Sequence, residues 1–586
     1  MSSRFPLRSP LPTPRDRSYV QSPTSSHHMK TIFATTSTTQ PPTLAVKSSP
    51  QQKTKIRANP SLLAAVFNGL DHFINNFIDP PLLPATDPRY VLSGNFAPVD
   101  ELPPTECEVA EGTLPPCLAG AYIRNGPNPH FLPRGPYHPF DGDGMLHSVR
   151  ISCGRATFCS RYVKTYKYTI ERDVGHPVFP TIFSGFHGVA AATARTVLAV
   201  ARILAGQFNP RNGIGSANTN VAFLGNRLYA LCESDLPYAV RLTPDGDIET
   251  LGQHSFGGKL VASMAAHPKT DPDTGETFAF RYSLFSPFLT FFHFDPLGNK
   301  RPDVPIFSMH DQSFFHDFAI TKNYVVFVNI HLGLRLGKLI RGGSIVGGDP
   351  TRIPRLGIIP RYAKDDAEMR WFDVPGFNIL HVTNAWEDDG DDCSEAVVVV
   401  VAPNVVSMGD EDEVLERLDL MQTRMEKLKL EVETGKVTRY SMSRKNNLEL
   451  ATMNPAYVGK KNRYVYAGVV DRTPRMSGVV KLDVWAAGGE ERECTVASRE
   501  FGSGWYGGEP LFVAREADDP TAAEDDGYLM CYVHNEEENE SRLLVMDAKS
   551  PRLDVVAAVK LPQRVPYGFH GLFVGESDLR RQNRVR

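Results

Sequence analysis

Short runs rich in β-branched and aromatic residues recur along most of the chain: "RLYALCE", "YVVFVNI", "EAVVVVVAP", "RYVYAGVV", "GYLMCYVHN" and "RLLVMDA". Turn signals such as "TPDGD", "DPDTGE" and "DPLGN" lie between runs, as expected for strands joined by tight connections. So many short strands over roughly 500 residues suit antiparallel sheets repeated around an axis better than one sandwich. An all-β propeller is the expectation. One segment departs from the pattern. Residues 412–432, "DEVLERLDLMQTRMEKLKLEV", read as a helix by their acidic-then-basic charge, while "KLEVETGKVTRYSM" reads as strand, turn at Glu433-Thr434-Gly435, and strand.

Composition narrows the function classes. The 586 residues are 41% hydrophobic and 22% charged, enough for a large core. A net charge of −4 argues against a nucleic-acid binder, which needs a basic face. The eight cysteines form no CxxC pair and read as scattered reduced thiols. Acidic clusters at 387–392 ("EDDGDD") and 409–413 ("GDEDE") lack the ligand spacing of a calcium loop and read as solvated loops. No protein partner is expected.

The first sixty residues carry nine Lys or Arg and one acid, Asp16, among many Ser, Thr and Pro, without an apolar core. That is the composition of an organellar transit peptide, here assigned to 1–58 and to a plastid, with residues 59–586 forming the body. Two segments then have apolar helical faces. In 61–78, Leu62, Leu63, Val66, Phe67, Leu70, Phe73, Ile74 and Phe77 recur at helical spacing, and Pro80-Pro81 ends the helix. In 188–206, Arg195 and Arg202 stand seven apart on one face. Neither segment spans a bilayer. Both fit helices lying in a lipid interface with snorkelling arginines, and both equally fit helices packed on the body.

Seventeen histidines occur, and four sit beside strand-like apolar runs: His267 in "VASMAAHPKTD", His316 in "FFHDFAIT", His381 in "FNILHVTNAWED" and His570 in "VPYGFHGLFV". Taken singly, each reads as an ordinary core or loop histidine. Their separations of 49, 65 and 189 residues fit whole blades of about seventy residues, whose inner strands converge on the axis.

The stretches "GAYIRNGPNP", "FDGDGMLH", "AHPKTDPDTGE", "HDFAIT", "HVTNAWE", "GGEP" and "YGFHGLFV", in this order, resemble the carotenoid cleavage dioxygenase family (carotenoid oxygenases). The transit-like region and "NPRNGIGSANTN" resemble its plant plastid branch. The resemblance implies a seven-bladed β-propeller capped by helices over its top face. It also implies an Fe(2+) centre held by His267, His316, His381 and His570, with Glu233, Glu449 and Glu509 orienting the imidazoles from behind. Without it, each glutamate reads as a surface carboxylate.

Four neutral imidazoles add no negative charge to Fe(II) and leave positions open for O2. Each needs an acceptor on its other ring nitrogen to fix its tautomer. The resemblance further implies a dry tunnel over the metal, into which a carotenoid slides from a membrane or plastoglobule surface. Phe140, Leu380 and Phe569 are expected to line it. Oxidative cleavage of a carotenoid C=C bond follows, at 9,10 (9′,10′), with 7,8 cleavage or 11,12 cleavage of a 9-cis-epoxycarotenoid as alternatives. A same-fold isomerase and a non-enzymatic scaffold are the readings outside that class.

Overall fold

A computed structural model describes residues 62–582 except 182, 184–187, 311, 335–345, 350, 390–395, 408–420, 444–446, 488–492 and 518. The expected transit region and the acidic cluster at 409–413 lie outside the described residues.

Strands dominate, and among the described residues they form seven blades. Four are separate four-stranded antiparallel sheets, with strands between residues 220 and 253, 269 and 306, 318 and 373, and 384 and 441. The other three run together. The fifth starts at Leu448–Thr452, the sixth at Leu511–Ala514, and Trp505–Gly507 pairs with strands of both. The seventh is closed by the two ends of the described chain: the late strand Gly571–Gly575 pairs antiparallel with the early strand Gly120–Pro127. Leu102–Gly112 then pairs with both the sixth and the seventh blade.

The apolar core sits in the seams between blades. Val398 and Val400 pack with Ala319 and Val326 of the preceding blade. Val399 and Val401 point the other way, onto Leu448 and Val465 of the next. That is why "AVVVVV" reads as a continuous apolar run: both faces are covered.

Two expectations need correction. Gln422–Glu431 is a strand, not part of a helix, lying between Ala396–Ser407 and Val437–Ser441. Its charges misled the reading because protein groups, not water, satisfy them. Glu426 pairs with Arg439 at 2.6 Å, and Lys427 donates to the carbonyls of Val484 and Ala487. The turn at 433–435 and the strand after it are as expected. Likewise Glu387 and Asp388 belong to the strand Asn384–Asp389, not to a solvated loop. Glu387 accepts from Thr321 Oγ1 and Asn323 N, both at 2.6 Å, and so ties two blades together.

The two amphipathic helices form at Leu62–Phe77 and Val189–Leu204. The second stops at Gly206, whose φ of 72° is the left-handed ending that glycine adopts without strain. Phe67 and Ile74 of the first pack against Leu198 of the second. Arg195 and Arg202 do not snorkel. They turn inward to the buried Asp71, each with a closest approach of 3.5 Å, and Arg195 also pairs with Asp79. The outer surface of the pair is apolar: Leu62, Leu63, Val66, Leu70, Phe73 and Phe77, then Val189, Val197, Val200 and Leu204, are exposed. Among the described residues, no helix is long and apolar enough to cross a membrane.

Candidate metal centre

The four predicted histidines meet. Each lies one to three residues before the innermost strand of a different blade: His267 before Lys269–Thr270, His316 before Phe318–Ile320, His381 before Asn384–Asp389 and His570 before Gly571–Gly575. Strands that start at the axis bring residues distant in sequence to one point. One nitrogen from each ring lies within 4.8 Å of the other three, a group that could hold a metal ion. The Nε2 atoms of His267 and His316 are 3.1 Å apart, and those of His316 and His381 3.2 Å.

The predicted glutamates stand behind three of them. Glu509 Oε1 is 2.9 Å from His570 Nδ1, and Glu449 Oε2 is 3.1 Å from His381 Nδ1. Glu233 Oε1 lies 2.7 Å from His316 Nδ1, close but out of line for a directed hydrogen bond. These contacts leave Nε2 of each ring facing the centre. Glu449 reaches its place through a β-bulge: the register slips after it, and Leu450 takes a φ of 48°. Burial and the imidazoles of His570, His316 and His381 push His267 well below the usual histidine range. At His381 burial opposes the charged form, but Glu449, together with Asp317 and Glu509, raises the ring's pKa above the usual value. A carboxylate-free set of imidazole nitrogens, three with carboxylates at the opposite nitrogen, fits a divalent transition metal.

Asp317, next to His316, is a connection that sequence reasoning missed. One oxygen pairs with Lys269 Nζ at 2.7 Å, two residues past His267; the other accepts from Val382 N at 2.8 Å, one residue past His381. A single buried carboxylate thus links three histidine-bearing segments. Only the structure reveals this, because its partners are 48 and 65 residues away.

Above the histidines lies a cavity of about 640 Å³. Phe140, Leu380 and Phe569 line it, and Phe140 meets Phe569 edge-on with ring centroids 5.3 Å apart. Phe183 and Phe314 extend that aromatic wall, and Thr219, just before the inner strand of the first blade, sits on its floor. These three were not anticipated. Residues 85–96 and 136–140 close the cavity from the cap.

The family described as "Retinal pigment epithelial membrane protein" matches residues 96–575, which span every blade and all four histidines. The chain belongs to the carotenoid oxygenase family. Among carotenoid oxygenases it is 57% identical over 577 residues to "Probable carotenoid cleavage dioxygenase 4, chloroplastic" of Arabidopsis thaliana, covering 98% of this chain and 93% of that one. It is 52% identical to the "9-cis-epoxycarotenoid dioxygenase NCED1, chloroplastic" of Oryza sativa subsp. japonica, covering 94% and 86%. A solved structure of cobalt-substituted Synechocystis ACO superposes with a TM-score of 0.67 at 27% identity, covering 83% of this chain and 99% of that one.

Replacing Glu509 by Gln keeps its size but removes the charge that holds His570. Metal retention under chelator challenge should fall by roughly ten- to a hundredfold, and Glu449→Gln should act likewise through His381. Unchanged retention in both variants would exclude a role for these carboxylates.

Proposed function

We propose that this chain is an Fe(II)-dependent dioxygenase that cleaves a carotenoid C=C bond into two carbonyl products, at 9,10 (9′,10′). The observation that carries the reading is that His316, His381 and His570 line an apolar, aromatic-walled cavity and meet His267 in one four-histidine group. Iron(II) held there supplies the redox chemistry that lets O2 react with a closed-shell polyene. The protein's own part is placement. Phe140, Phe183, Phe314 and Phe569 offer ring edges and faces to a flat conjugated chain. The apolar walls keep water from the reacting carbons. No side chain has to move a proton, because adding both oxygen atoms of O2 across C=C to give two C=O groups balances without one.

The identity to the rice 9-cis-epoxycarotenoid dioxygenase favours cleavage of a 9-cis-epoxycarotenoid as the second reading. Residues 1–58 act as a plastid transit peptide in this proposal. It places the mature chain on a membrane or plastoglobule surface, where its substrate is dissolved.

Cleavage under ¹⁸O₂ with mass spectrometry tests the chemistry and names the bond. One heavy oxygen in each carbonyl product, read before exchange with water, is expected. A rearranged polyene without label would instead identify an isomerase, and no conversion of any carotenoid would support a scaffold.

A further inference from the structure

Arg124 lies in the strand Gly120–Pro127, directly opposite Gly571 in the register that closes the seventh blade. Its side chain is buried, at 3% exposure, and no carboxylate pairs with it among the described residues. The guanidinium donates through Nη2 to the carbonyl of Pro566 and lies 5.1 Å from the ring centroid of Tyr532. Two glycines also lie close to it. A Cβ on Gly568 would lie 2.9 Å from Cζ, Nε and Nη2, and one on Gly508 would lie 3.4 Å from Nη1. Neither glycine has a positive φ; at Gly568 space rather than backbone freedom excludes a side chain, and at Gly508 the guanidinium lies in contact.

Those glycines adjoin the metal centre. Gly508 precedes Glu509, and Gly568 stands two residues before His570. The two segments meet where Glu509 receives His570 Nδ1 at 2.9 Å and Gly571 N at 3.0 Å. From the other side the strand neighbour Asn125 holds the same segment, donating from its backbone N to the His570 carbonyl and accepting from Phe569 N. The planar guanidinium is thus wedged between the segment carrying the carboxylate and the segment carrying the imidazole. Stretches that look unrelated in sequence, "YIRNG", "YGGEP" and "YGFHG", are parts of one arrangement.

We propose that Arg124 is a positioning residue for the metal centre, a spacer that sets how Glu509 meets His570. It rests on the metal reading of the four histidines. A rigid fork suits that task better than a flexible ammonium, because it fixes two surfaces at once.

The test uses Co(II) titrated against a chelator, with visible absorption reading the coordination geometry. Arg124→Met should lower Co(II) affinity by about tenfold or more and shift the absorption bands. Arg361→Met is the control. Arg361 is also buried, but it pairs with Asp271 at 2.6 Å and covers Phe278, and neither is part of the four-histidine group. That variant should lose thermal stability yet keep affinity and spectrum. Gly568→Ala should reproduce the metal defect in the wild-type background and add little to it in Arg124→Ala, where the guanidinium it displaces is gone. If Arg124→Met fails to fold, Arg124→Lys should show a smaller defect of the same kind. Wild-type affinity and spectrum in the folded Arg124 variants, or additive effects of the two substitutions, overturn the proposal. A wild-type protein that binds no Co(II) overturns the metal reading and this proposal with it.

Discussion

His316→Ala should reduce carotenoid turnover by more than about a hundredfold, exceeding the loss from an outer partner of a ligand, and should lower iron content. The propeller should remain folded. His316 occupies the middle of the group, within 3.2 Å of the reactive nitrogens of both His267 and His381, so its loss opens one side of the centre. It also strips Glu233 of the ring it faces at 2.7 Å and leaves a carboxylate stranded in a largely buried place. The double variant His316→Ala/Glu233→Gln removes that buried charge and should partly recover the stability lost. His147→Ala removes another buried histidine outside the four-histidine group. It should disturb stability while leaving iron content intact. Normal iron and turnover in His316→Ala would remove it from the centre.

The strands were legible in the sequence because a propeller writes each blade as a local unit, whereas the four histidines were singled out by the family resemblance of the motifs that carry them. Inner strands begin at 220, 269, 318, 384, 448, 511 and 571, so the interval is shorter and less even than the seventy residues expected. Loops of different length hide the repeat. Glu449 was harder to read because the bulge at Leu450, not a periodic pattern, turns it inward. The acidic and basic residues at 422–431 imitated a helix because their partners lie elsewhere in the fold, Arg439 on the neighbouring strand and Val484 in a short turn of the next blade. Arg195 and Arg202 do share one helix face, but sequence spacing cannot tell which face is covered. Asp71 of the other helix decided that. In each case a partner distant in the chain satisfied a charge that local reasoning had assigned to water.

The same correction changes which residues should release the protein from a membrane. Phe67, on the apolar face by spacing, is buried against the second helix, so charging it would test folding rather than attachment. Leu70, Phe73 and Phe77 instead point outward, 47%, 53% and 75% exposed, with the Phe73 and Phe77 rings 5.1 Å apart. Burying a Leu or Phe contributes about 1.5 to 3 kcal/mol. Three such side chains dipping into a leaflet would contribute roughly 5 to 9 kcal/mol of gross attraction, before the costs of binding. Changing all three to Glu removes that attraction and sets carboxylates against the interface, while the Asp71–Arg202 side of the helix stays untouched. The triple variant should therefore lose liposome flotation. It should also lose most turnover of carotenoid presented in vesicles, yet retain turnover of detergent-dispersed substrate. That contrast distinguishes delivery from catalysis, because the histidine centre is unchanged in both assays. Flotation equal to wild type, with the fold verified by circular dichroism, would mean that the outer face of this helix is not the membrane contact.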